Sequence, residues 1–160
     1  MIIKPIFEKL IMKAMTLPTF KYKSEIEQLI ENGASLPPLL AAENKAAYRY
    51  VFSETHCNNH KPIYIQKPQR IISDADRNKL DTSGYALSCF ESEDQATVKF
   101  ESLKRSIKNI ALSLGDSLAI GTLDPEDGMI TEASKFGHFD LYEFCDCDLN
   151  TKFTVNKKLV

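Results

Sequence analysis

The chain has 160 residues, of which 43% are hydrophobic and 26% are charged, and its formal net charge is −2. This length fits one domain with its own core, and the near balance of charge argues against binding nucleic acid through bulk charge. No apolar run approaches the roughly 18 residues that a membrane span requires, so no membrane segment is expected.

The N-terminus predicts an amphipathic helix over 5–15, because charged residues interrupt its apolar positions. It lacks the continuous apolar segment and the cleavage site of a signal peptide. The chain has four cysteines, which are Cys57, Cys89, Cys145 and Cys147. A disulfide scaffold would be shorter and richer in cysteine. Without an export signal, we expect reduced thiols and a cytoplasmic location.

Helices are predicted for most of residues 1–40. Ser24 and Glu27 form a capping-box pattern that opens a second helix, with Asn32-Gly33 as its stop. The run LLAAENKAAY predicts a short third helix over 39–48. The aromatic and β-branched run that follows predicts a strand over 48–52.

The middle of the chain holds one long predicted helix. A short strand is predicted at 62–66, and 67–83 is either a long surface loop or a short irregular helix. GYALSCF at 84–90 predicts a strand, after which Ser92 and Gln95 give a second capping box. The helix runs over about 92–112, because its apolar residues recur at spacings of three and four. Those residues are Ala96, Phe100, Leu103, Ile107, Ile110 and Leu114.

The C-terminal part consists mainly of predicted strands, at 117–123, 139–145 and 151–155. DPEDG at 124–128 predicts a turn in which Gly128 allows a positive φ. Helices first, then strands broken by one long helix, predict a single α+β domain over 1–160 with an antiparallel or mixed sheet. Its N-terminal helical part covers 1–40 and its α+β core covers 45–155.

Three polar residues interrupt strand-like runs. They are Arg49 in AYRYVF, Ser88 in GYALSCF and Glu143 in HFDLYEF. A strand is a rigid mount, so a polar side chain on it either faces water or takes part in function.

This order resembles the Arg–Ser–Glu plan of the ADP-ribosyltransferase-like fold over about residues 45–155. The resemblance implies that the protein uses NAD as substrate and transfers ADP-ribose, as a toxin or effector acting on a macromolecule. Arg49 would hold a phosphate or ribose of NAD, and Ser88 with Tyr85 would brace the nicotinamide side. Glu143 would bond the ribose and stabilise the oxocarbenium-like transition state.

Two positions depart from the plan of that family. Many arginine-modifying members carry Glu or Gln two positions before the catalytic Glu, whereas this chain has Leu141 there. The Ser-Thr-Ser type of motif is reduced to Leu87-Ser88-Cys89. The first departure argues against arginine as the acceptor, and both also suit an inactive relative.

Two other groups of residues indicate different chemistry. Zinc takes His and Cys ligands, but the groups His56, Cys57, His60 and Cys145, Cys147 lack the usual ligand spacing, so no metal is expected. A nucleophilic pair such as Cys89 with His138 would need proximity that a sequence cannot show.

The alternative function is a non-catalytic interaction domain, such as an immunity, adaptor or phage-type accessory protein that binds a protein partner. An enzyme needs Arg49, Ser88 and Glu143 to converge on one concave pocket. An interaction domain should instead expose an apolar or aromatic patch, with those three residues dispersed.

Overall fold

The computed structural model describes residues 19–53, 56–68 and 73–160. The helices of these residues are α1 Lys23–Glu31, α2 Ile63–Gln66, α3 Asp74–Ser83, α4 Glu93–Ser106, α5 Ile110–Ser113 and α6 Leu149–Lys152. The strands are β1 Leu40–Ala41, β2 Lys45–Val51, β3 Leu87–Phe90, β4 Ser117–Leu123, β5 Gly128–Ile130, β6 His138–Glu143 and β7 Thr154–Lys158. The predicted α+β class is confirmed, and the helix predicted over 5–15 lies outside the described residues.

All seven strands form one sheet in the order β1-β5-β6-β3-β2-β4-β7, and every neighbouring pair is antiparallel. Side chains alternate between the two faces of a strand, so one face carries Ala47, Leu87, Cys89 and Leu141 in a single buried cluster. We call this the core face. The loop and helix α6 that follow β6 add Cys147, Leu149 and Phe153 to that cluster.

The opposite face, which we call the helix face, is covered by α4. Phe90 and Ala96 belong to its buried cluster, with Tyr50 packed against them. The ring of Phe100 meets the ring of Tyr50 edge-on, with 5.3 Å between centroids, and Phe100 is fully buried. Of the apolar stripe predicted for this helix, Ala96 and Phe100 are therefore shown to face the sheet.

Strands β2 and β3 diverge soon after they meet. They pair only at Tyr48 and Phe90, whereas β2 pairs with β4 over seven positions and β3 pairs with β6 over four. The sheet therefore opens between its two central strands, next to Arg49 and Ser88.

The predicted start of α4 is confirmed, because the Ser92 hydroxyl caps it by accepting a hydrogen bond from the backbone N–H of Gln95 at 3.2 Å. The predicted end at 112 is wrong. The helix stops at Ser106, since Ile107 is extended and Asn109 has a left-handed φ of 56°.

The helix predicted over 39–48 is also wrong, because this segment forms β1 and the start of β2. Alanine and leucine favour a helix, but Lys45–Val51 gains a full ladder of hydrogen bonds against β4. Asn44 makes the turn between the strands with a φ of 47°. Tertiary pairing has overridden local propensity here.

Residues Ile63–Gln66 form helix α2, so the strand predicted over 62–66 is wrong. Pro62 precedes α2, where its missing N–H costs no hydrogen bond. For 67–83 the sequence predicts either a surface loop or a short irregular helix. The helix is correct for Asp74–Ser83, and the Ser73 side chain caps it. The capping box expected at Ser24 is wrong, because α1 is preceded by Tyr22 and has no side-chain cap.

The C-terminal strands differ from the prediction in two places. Strand β5 was not predicted, and Gly128 in it has no positive φ. This glycine is needed because a Cβ there would lie 2.4 Å from the Tyr142 carbonyl oxygen. The strand predicted over 151–155 is displaced, since α6 ends at Lys152 and β7 covers Thr154–Lys158. No helix within the described ranges is long and apolar enough to cross a membrane.

Replacing Phe100 with alanine should lower the free energy of unfolding by about 3–5 kcal/mol, because the change leaves a cavity between α4 and the sheet. Urea denaturation measures this loss. The control is Val98→Ala on the same helix, where the side chain is 71% exposed. Equal losses for the two variants would show that the helix presents a different face.

Candidate functional site

Arg49 lies where the central strands diverge. Its position opposite Ala119 in the β2–β4 ladder places it on the core face, and it is only 7% exposed. Its Nη1 donates a hydrogen bond to the backbone carbonyl of Ser88, and its Nε donates to Nδ1 of His60 at 3.2 Å. The guanidinium thus replaces the missing ladder contact between β2 and β3 and also holds the loop that contains His60.

Glu143 ends strand β6 on the same face as Leu141 and is 4% exposed. One carboxylate oxygen, Oε2, is ion-paired with Lys21. Among the described residues, the other oxygen, Oε1, is the buried side-chain atom that has no hydrogen-bond partner. Burial raises the pKa of Glu143 above its ordinary value, although Lys21 and Arg49 act in the opposite direction.

Sequence reasoning missed Lys21, which lies 122 positions before Glu143. Residues 19–22 run alongside the end of β6, with a bridge between Phe20 and Phe144. The backbone N–H of Lys21 donates to the Glu143 carbonyl at 2.8 Å, and its Nζ also donates to the Cys147 carbonyl at 2.8 Å. No local pattern around Lys21 indicates this contact, because it depends on which strand end the segment meets.

His60 is the second residue that the sequence did not assign to this site. A guanidinium is always a donor, so Nδ1 of His60 must accept and the proton of the neutral ring lies on Nε2. Burial and the charge of Arg49 lower the pKa of His60 to about 3, which keeps the ring neutral at ordinary pH. Its φ of 60° and its packing on Phe153, with 5.0 Å between ring centroids, fix its position.

The side chain of Ser88 points to the helix face, away from Glu143. Ser88 is exposed, and its Oγ lies 2.6 Å from Nε2 of His138. Asp140 Oδ1 lies 3.8 Å from that same nitrogen, so the three side chains do not form the relay of a catalytic triad, in which the acid contacts the other ring nitrogen. Burial lowers the pKa of His138 and raises that of Asp140.

The possible pairing of Cys89 with His138 is wrong. Cys89 lies opposite Phe139, and His138 lies opposite Phe90, so the thiol and the imidazole are on different faces of the sheet. Cys89 is fully buried, and burial raises the pKa of its thiol to about 11. This thiol has neither the base nor the access that a nucleophile needs.

Two cavities adjoin these residues. A groove of about 1050 Å³ is lined by Arg49, Ser88 and His138, among others. A smaller cavity of about 540 Å³ is lined by Lys21 and Glu143, together with Asp148. Three residues line both cavities, namely Asn59, His60 and Lys61.

The three residues singled out in the sequence are therefore brought together only in part. Arg49 and Ser88 line the groove and Glu143 lines the smaller cavity, with His60 as a shared wall. Tyr85 lines neither cavity and packs among the apolar residues near Ile26. Arg49 and Glu143 share a face of the sheet, whereas Ser88 contacts Arg49 only through its backbone carbonyl.

A metal centre finds no support in the part of the chain that the structure describes. No group of three or more His, Cys, Asp or Glu side chains is close enough to hold an ion there. All four thiols are free, with Cys57 and Cys145 exposed and Cys89 and Cys147 buried.

Comparison of the chain with protein-family models, with curated proteins and with solved structures found no match. The resemblance to ADP-ribosyltransferases therefore stays a hypothesis that rests on the residues and the geometry described above.

The pKa of His60 predicts how stability depends on pH. Its pKa is lower in the folded protein than in the unfolded chain, so the unfolded chain binds the proton first. The contribution of the neutral His60 ring to stability is therefore fully present above about pH 6.5. It is lost as the pH falls towards the folded pKa, by up to about 1.4 kcal/mol per pH unit. His60→Gln should flatten this part of the profile, since glutamine can still accept the bond from Arg49. Urea melts between pH 7 and pH 4 measure it.

The matched control is His56→Gln in the same loop, where the side chain is exposed. An unchanged acid slope in His60→Gln, equal to that of the control, would show that His60 is protonated normally in the folded protein.

Proposed function

We propose that this protein is an NAD-using enzyme of the ADP-ribosyltransferase type, which modifies a macromolecule as a toxin or effector. The observation that carries the proposal is the carboxylate of Glu143. It is almost fully buried, lines a cavity, and keeps one oxygen without a partner. An unpaired buried carboxylate oxygen is costly, and a ligand hydroxyl donating to Oε1 would remove that cost.

The chemistry would make use of that oxygen. In ADP-ribosyl transfer the bond between the ribose carbon and the nicotinamide nitrogen breaks, and its electron pair leaves with nicotinamide. The acceptor's nucleophile forms the new bond to the same carbon and releases a proton. Positive charge develops on the sugar before the new bond is complete, so a fixed negative charge beside it stabilises the transition state.

Arg49 would supply the opposite charge. It lines the groove next to the cavity of Glu143, and a guanidinium has five N–H donors, so those beyond the two that bond Ser88 and His60 could meet a pyrophosphate oxygen. The groove is about 1050 Å³, which is slightly larger than sites that bury a drug-sized ligand. A dinucleotide would then lie in the groove, with its ribose and nicotinamide end passing His60 towards Glu143.

Ser88 takes a different part in this proposal from the one that the resemblance implied. Its carbonyl orients Arg49, while its hydroxyl and His138 belong to the other wall of the groove. Leu141, at the position where arginine-modifying members carry a second acid or amide, is fully buried. An acceptor other than arginine is therefore favoured.

A second candidate, a protein-interaction domain, is favoured by the rim of the groove. Val98 and Phe136 line it and are 71% and 69% exposed. Exposed apolar side chains beside a groove suit a protein partner. The two candidates are separated by titrating NAD into the purified protein by calorimetry while following nicotinamide release. Absence of binding at millimolar NAD would favour the interaction domain.

Replacing Glu143 with glutamine should reduce nicotinamide release by about 10²–10³-fold, because the variant keeps the shape of the side chain but loses the charge. The rate is measured by chromatography of nicotinamide. The control is Glu126→Gln, since Glu126 is an exposed carboxylate in the turn before β5. If Glu143→Gln releases nicotinamide at the wild-type rate, Glu143 has no role in the chemistry.

A further inference from the structure

Lys21, like Arg49, is a cation of the site whose position is fixed by the fold rather than by a ligand. Lys21 is held at three points: its backbone N–H bonds the Glu143 carbonyl, its Nζ bonds the Cys147 carbonyl, and the same Nζ is ion-paired with Glu143. The ring of Phe20 stacks on Phe144 with 5.6 Å between centroids, which secures the segment. A lysine side chain is usually free to turn in solvent, whereas this one has a fixed direction.

The ion pair divides the two oxygens of Glu143 into different roles. Oε2 is occupied by Lys21, and Oε1 is left buried and without a partner. Both Lys21 and Glu143 line the smaller cavity, so the unpartnered Oε1 is buried in a residue of its wall, next to the bound ammonium group. An unpaired carboxylate at this depth would be neutralised by protonation.

We propose that Lys21 is a positioning residue for Glu143, which holds Oε2 and keeps the carboxylate ionised so that Oε1 alone faces the ligand. This role rests on the function proposed above, but the contact itself does not depend on which ligand binds. Lys21 acts through Glu143, so its effect should appear in how nicotinamide release depends on pH, as a change in the acid limb of that profile.

Several other groups surround Glu143 and could contribute to its ionisation. The neighbouring groups from each packed element are Arg49 on β2, Tyr22 before α1, His60 in the loop after β2, Asp127 before β5, and Cys147 and Asp148 before α6. Arg49 lowers the pKa of Glu143 and Asp148 raises it. His60 is neutral, because burial holds its pKa at about 3. Of the two cations, Arg49 and Lys21, it is Lys21 that forms an ion pair with the carboxylate.

The experiment compares Lys21→Met, Lys21→Gln and Lys21→Arg. The first readout is the pKa of Glu143, followed by the ¹³C shift of its carboxyl group and assigned by the loss of that signal in Glu143→Gln. Removing the charge should raise this pKa by about one to three pH units, and Lys21→Arg should restore it. The control is Lys23→Met, since Lys23 is exposed and its ion pair with Glu27, at 3.6 Å, lies on the surface of α1.

The second readout is nicotinamide release as a function of pH. In Lys21→Met the acid limb should shift to higher pH by the same interval as the pKa of Glu143. At pH values well above that limb, activity should return towards the wild-type rate. If Lys21→Met does not fold, Lys21→Gln gives the same test, because its amide can still donate to the Cys147 carbonyl.

The outcomes separate the two proposals. An unchanged pKa of Glu143 in a folded, charge-deleted variant overturns the role of Lys21, whatever the activity. A wild-type protein that never releases nicotinamide contradicts the proposed function, while the carboxyl titration still decides the role of Lys21.

Discussion

The hydrogen bond from Arg49 to the carbonyl of Ser88 is the interaction on which the candidate site depends. The two central strands pair at one position and then separate, which would leave the Ser88 carbonyl without a partner in the ladder. The guanidinium supplies that partner. The same bond fixes the position of the buried Arg49 guanidinium, so a positive charge is held where the two strands separate.

The second donor of Arg49 extends this order into the loop after β2. By donating to Nδ1 of His60, it sets the tautomer of a ring that lies between the groove and the smaller cavity. His60 thus bonds Arg49 on one side and lines the cavity of Glu143 on the other. A cation therefore lies on one side of this neutral ring and a carboxylate on the other.

The alternation of side chains along a strand explains why only two of the three polar side chains lie on the core face. Residues two apart share a face, so Glu143 follows Leu141 into the core face, and Ser88 and His138 point to the helix face. A functional plan read from the order of residues along the chain does not specify these directions. They depend on the register of β3 against β6.

The sequence by itself determined the α+β class, the start of the long helix at Ser92, and the placement of Arg49, Ser88 and Glu143 on strands. These features depend on local patterns of capping and hydrophobic spacing. Tertiary structure alone decided that 45–48 is a strand despite its alanines, and that Lys21 meets Glu143 across 122 positions. The stability of such strand pairs and ion pairs comes from contacts between segments that are distant in sequence. A local sequence pattern does not indicate which distant segments will meet.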